Sequence, residues 1–166
     1  MADASSIRHA ATVPSATGRN RGSVRFDTTN NAAKVSDGTD FVEFSVGPAA
    51  TFVQSGTLAT GTFFVAPQAC KVTAISQVHS TAGSDGSAVT AVVTKDTGTA
   101  APGAGTSLHQ SGSFNLKATA NTVQTATLST TAATLALAAG DRLAFKLTGT
   151  PTAVAGATVT VQLAWL

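Results

Sequence analysis

Tyrosine is absent from this 166-residue chain, cysteine, methionine and tryptophan occur once each, and charged residues make up only 11%. A lone cysteine, Cys70, rules out an internal disulfide framework and a cysteine-rich zinc site. So little charge excludes a charge-driven disordered chain, and it equally excludes a coiled coil, which draws about half its residues from Ala, Glu, Lys, Leu and Arg. No apolar run approaches the ~18 residues of a membrane-spanning helix. The first 25 residues also lack the apolar stretch of a secretory signal, so a soluble product not exported by that route is expected. Ten basic residues against eight acidic ones leave a net charge of +2, too weak a field to hold a polyanion. No nucleic acid and no membrane is therefore expected among the partners.

What is present is small and β-branched: Ala (32), Thr (28), Val (16), Ser (15) and Gly (15) fill most positions. That texture favours strands and turns, and the length allows one ordinary domain with a short appendage. A mean hydropathy of +0.20 is high for a soluble monomer with so few charges, which points to subunit association.

Along the chain, residues 1–21 show neither helical nor strand periodicity and read as an extended N-terminal arm carrying Arg8, Arg19 and Arg21. From Gly22 the string GSVRFDTTNNAAKVSDGTDFVEF (22–44) repeats apolar residues between turn signals, with Val24 and Phe26, then Val35, then Val42 and Phe44. Asn30–Asn31 and Asp37–Gly38 supply the turns, so 22–47 is expected to be a small three-stranded β-meander. Three short strands are marginal alone, and this piece should lean on the main domain or on a neighbouring subunit.

Residues 48–166 form the main domain, a β-sandwich of eight strands expected at 58–66, 70–79, 87–96, 108–116, 121–129, 133–138, 141–149 and 157–166. Leu143, Phe145 and Leu147 alternate with Arg142, Ala144 and Lys146, which predicts one buried and one wet face. In the last strand Val159, Val161, Leu163 and Trp165 share the inward face, each contributing about 1.5–3 kcal/mol on burial, so its truncation should prevent folding. Phe63 and Phe64 are adjacent and should point to opposite faces of their strand. The outward ring then needs cover from the meander or from a neighbouring subunit. Segment 131–139 balances a helix favoured by Ala against a strand favoured by Thr and the following Gly140–Asp141 turn, and it is read as strand. The polar loops 81–87, 96–107 and 149–156 are expected to cluster at the ends of the sandwich.

Reactive constellations are missing: no Gly-x-Ser-x-Gly, no phosphate-binding glycine loop followed by Lys, no His-Glu-x-x-His and no calcium loop. His9, His79 and His109 show no ligand spacing and are each expected as surface or loop imidazoles. Asp85 and Asp141 read as turn-formers and Cys70 as a small hydrophobe on an apolar face. The scarcity of carboxylates argues against an enzyme, and no cofactor or metal is expected.

Two stretches carry a family resemblance. Gly22, Arg25, Phe26, Asp27, Thr28, Thr29, Asp37, Gly38 and Phe41 resemble the short meander that recurs in virion proteins of tailed bacteriophages, although that family often has Trp and Tyr around the turn. Leu135, Leu137, Gly140, Asp141 and Leu143 are similar to the Leu-x-Leu-x-x-Gly-Asp strand pair of trimeric jelly rolls, phage decoration proteins among them. Together with the arm and the strand count, the chain resembles a phage capsid decoration, or cement, protein. The resemblance implies an antiparallel jelly-roll-like β-sandwich and a homotrimer on the outer capsid surface that bridges neighbouring copies of the phage major capsid protein. It further implies contacts to acidic capsid surface from Arg8, Arg19, Arg21 and Arg25, with Phe26, Phe41 and Phe44 holding the meander. Phe63, Phe64, Leu143, Phe145, Leu147, Val161, Leu163 and Trp165 would then serve the sandwich core or the subunit interface. The other expectation is a head- or tail-fibre module whose loops touch the host surface.

Overall fold

A computed structural model describes the backbone of four strands within residues 9–43 and, in full, residues 49–54 and 57–166. The chain divides into two compact units, Met1–Val46 and Gly47–Leu166.

In the first unit, β1 (His9–Ala10), β2 (Val24–Asp27), β3 (Ala32–Ser36) and β4 (Phe41–Glu43) form one sheet in that order. Val24 pairs with Val35 and Val35 with Val42, so the valines of the sequence pattern form one row across three antiparallel strands. β1 runs parallel to β2, with His9 opposite Phe26, which puts two residues of the expected arm into the sheet. The rest of 1–21 lies outside the described residues.

The second unit is an antiparallel sandwich. One sheet has the order β11 (Gln124–Thr125), β7 (Cys70–Val78), β14 (Ala157–Trp165), β5 (Ala49–Gln54), and β12 (Ala136–Leu137) also pairs with β7. The other has the order β10 (Phe114–Asn115), β8 (Thr90–Asp96), β13 (Arg142–Thr148), β6 (Gly61–Val65), with β9 (Thr106–Ser107) also on β8. Chain order alternates between the sheets from β5 to β8 and again from β12 to β14, which is jelly-roll connectivity.

The sheets are sewn together along one edge. Leu108 N–H donates to Val93 O at 2.9 Å, Ser129 N–H to Leu108 O at 2.8 Å and Ala126 N–H to Ile75 O at 2.9 Å, carrying backbone hydrogen bonds from β8 to β7. The sandwich curls there like a half-barrel. At the opposite edge Phe52 of β5 stacks on Phe145 of β13 with ring centroids 5.0 Å apart and tilts against Phe63 of β6 at 5.5 Å. Between them the fully buried Val72, Ile75, Val93, Leu143, Phe145, Val159 and Val161 fill the core.

Several expectations need correction. Residues 49–54 are an edge strand and not a connector, with Ala50 and Phe52 on the inward side. The expected strands 108–116 and 121–129 shrink to two-residue pairings flanking the sewn edge; Gly112 at φ +72° turns the chain within the first, and Asn121 at φ +59° stands at the start of the second. Segment 133–138 opens as a helical turn, α1 (Ala132–Leu135), whose carbonyl end is held by Lys95 Nζ at Ala133 O (2.7 Å) and Ala136 O (2.9 Å). Phe63 and Phe64 do not part to opposite faces: the β6–β13 register shifts between Leu143 and Ala144, leaving Phe63 as the extra residue of a bulge. Both rings therefore lie against the sandwich's own core. Trp165, expected inward, is 38% exposed at the last position of β14.

Phe145 combines complete burial with the Phe52 stack, so Phe145→Ala should cost about 3–5 kcal/mol in a denaturant titration, whereas Phe63→Ala, half-buried at the bulge, should cost clearly less.

Candidate functional site

Chemistry-bearing side chains in the sandwich are few, and most are engaged in holding loops. Asp96, fully buried at the end of β8, accepts from Thr94 Oγ1 (2.9 Å) and Gly105 N–H (2.9 Å) on one oxygen and from Gly103 N–H (2.9 Å) on the other. Only glycine fits at 105, where a Cβ would collide with the Lys95 carbonyl oxygen. Arg142 donates to Gly98 O and Ala100 O, both at 2.9 Å. Gly103 lies so close to Lys146 that a Cβ there would come within 3.1 Å of the lysine Cβ. Loop 97–105 is thus folded down onto the outward face of β13 instead of extending from an end of the sandwich. This explains a second departure: Ala144, expected on a wet face, is completely buried between Arg142 and Lys146.

The other two loops do meet at one end. Ser84 N–H donates to Thr152 O (2.9 Å), Ala155 O accepts from Ser80 N–H (3.1 Å) and Thr81 N–H (3.2 Å), and Lys117 Nζ reaches Asp85 O and Ser87 O. Asp85 Oδ1 takes the Ser87 N–H at 2.8 Å, an Asx turn. At the far end Asp141 closes its own turn by accepting the Ala138 N–H at 2.9 Å, after Gly140 at φ +88°. Cys70 lies beneath that end, fully buried, with its thiol pKa raised by burial and secondarily by the negative charge of Asp141.

Two of the histidines expected as surface or loop imidazoles do lie between strands, but inside and not at the surface. His79 is fully buried; its Nε2–H donates to Ala118 O (3.0 Å), leaving Nδ1 to accept from Gln77 Nε2 (3.1 Å). Gln77 in turn receives Gln124 Nε2 (3.2 Å), tying β7 to β11. His109 lies at the sewn edge, where Nε2 accepts the Val93 N–H (3.2 Å) and the ring stands edge-on to Phe114 at 4.9 Å. His9 belongs to β1. No signal in the sequence marked either buried imidazole, since each depends on backbone groups distant along the chain.

Of the residues singled out from sequence, Leu143, Phe145, Val161 and Leu163 are buried, while Phe64 and Leu147 are half-buried against the same core. Arg25, Phe26 and Phe41 lie in β2 and β4, opposite Lys34, Ala33 and Ser36. Arg8, Arg19, Arg21 and Phe44 lie outside the described residues. Among the described residues no three His, Cys, Asp or Glu side chains gather in metal-binding proximity, and no helix is long and apolar enough to cross a membrane. Compared with protein-family models, curated proteins and solved structures, the chain matches none.

Burial holds the pKa of His109 below its ordinary value of 6.5, and its neutral Nε2 is needed by Val93. The unfolded chain therefore binds the proton first. Stability should be complete above pH ~6.5 and fall as the pH drops below it, and His109→Gln should flatten that slope in thermal melts taken across pH 5–8. Asp96→Asn should release loop 97–105 while keeping the sheets, which amide hydrogen exchange would register as lost protection at Gly103 and Gly105 only.

Proposed function

We propose that this protein is a structural virion component that binds the outer surface of a phage capsid as a homotrimer and stabilises it by bridging neighbouring major capsid proteins. The observation that carries the reading is the combination of jelly-roll connectivity with a separate N-terminal unit, Met1–Val46, which holds Arg8, Arg19, Arg21 and Arg25. In the sandwich, by contrast, Lys95, Lys117 and Arg142 are already committed to carbonyl oxygens of its own loops. The arginines of the N-terminal unit are then the guanidinium forks that meet capsid carboxylates in two-point fashion.

The mechanism needs no reaction. A trimer presents the arm three times, and linking weak contacts raises avidity by about 10²–10⁴ when the spacing lets all of them bind. A clamp that binds the assembled shell better than separated capsomers stabilises the shell by mass action against expansion. The protein so acts without cofactor, on the virion surface, after synthesis in the host cytoplasm.

Deleting residues 1–21 should leave a folded oligomer that no longer binds particles lacking the protein, whereas the intact chain should saturate them at hundreds of copies per shell. Binding retained by the truncation would move attachment to the meander or the loops, and an intact chain that ignores capsids but adheres to host cells would favour the fibre module.

A further inference from the structure

The two outward faces of the sandwich differ. On the β8–β13 side, Arg142 and Lys146 point outward and loop 97–105 is folded over the strands between them. On the other side, Lys71 at one end is the one charged residue in β5, β7, β11, β12 and β14 together. The register defines that face in rows. Val53 pairs with Thr158 and Thr158 with Val78, and Val123, directly before Gln124 on β11, extends the row beyond Val78. The next row reads Thr51, Thr160, Ser76 and Thr125, and the one after it Ala49, Gln162 and Ala74. Val53 and Val123, at the two ends of the valine row, are 66% and 65% exposed.

We infer that this nearly uncharged face is where copies of the chain meet one another; the inference rests on the reading that the protein is an oligomer and names the surface that reading requires. Charge selects the occupant. A face whose strands carry only Lys71, at one end, offers little to steer or select a charged partner, whereas against its own copy it sets no like charges opposite each other over the rows between Val53 and Val123. Its side chains are short or β-branched and form a low surface that can approach another closely. Its strands of two, nine, nine and six residues, rising about 3.4 Å per residue and spaced about 4.8 Å apart, give roughly 420 Å² in plan before side-chain relief is counted. Side-chain relief adds to that figure, toward the ~600–1,000 Å² each partner gives to a stable specific interface. Closing the face also covers Val53 and Val123.

The test uses full-length protein carrying Val53→Glu or Val123→Glu, with Val65→Glu as control, since Val65 is 56% exposed but lies opposite Arg142 in the other sheet. Circular dichroism melts check that each variant folds, and sedimentation velocity reads the mass. The expected result is a wild-type oligomer, retained by Val65→Glu and dissociated at least tenfold more readily by each of the other two. Folded Val53→Glu and Val123→Glu proteins that keep the wild-type mass would overturn this surface while leaving the oligomer intact. A monomeric wild type would overturn the oligomer reading itself, and this surface with it.

Discussion

The backbone hydrogen bonds that run from Val93 through Leu108 and Ser129, and on through Ala126 to Ile75, join the two sheets along one edge. Everything else in the sandwich follows from that seam. With one edge closed the layers curl, the buried side chains converge on a single core, and the opposite edge needs only Phe52, Phe63 and Phe145 to fill it. The seam also explains why His109 is inside: its ring nitrogen takes the Val93 N–H, and its ring edge rests against Phe114. An acceptor at that position must be neutral, which makes the seam the acid-sensitive part of the fold.

A second constraint is the scarcity of charge. Five basic and three acidic residues serve the 120 residues of the sandwich unit, and most of them are used locally. Lys95, Lys117 and Arg142 each donate to two carbonyl oxygens, so three loops are held by charge-assisted contacts where a more polar protein would use side-chain pairs. Asp96 does the converse, supplying one buried carboxylate to two glycine N–H groups and a threonine hydroxyl. The consequence is a sandwich with one face sealed by its own loop and one face left plain.

Much of this was legible in the sequence. Alternation in RLAFKL and TVTVQL identified β13 and the core of β14, and Gly140–Asp141 identified the turn. Period-two patterning is local and survives wherever a strand is flanked on both sides. It failed at positions decided by neighbours distant in the chain. The bulge at Phe63 cannot be read from GTFFV, because the register shift belongs to the pair β6–β13 and not to either strand. Ala144 looks solvent-facing until a loop more than forty residues earlier is laid over it. Trp165 keeps the inward parity of Val161 and Leu163 yet is partly exposed, since it is the last residue of β14 and parity says nothing of where the core ends.

The sequence by itself determined the all-β class, the sandwich and the absence of a recognisable reactive motif, because composition, alternation and turn residues act within a few positions of one another. Tertiary structure alone decided which histidines are interior, which loop becomes a cover and which sheet face is left nearly without charge. Those outcomes depend on hydrogen bonds and close approaches between segments far apart in sequence, such as Val93 with His109 and Gly98 with Arg142, which form only once the sheets have closed on each other.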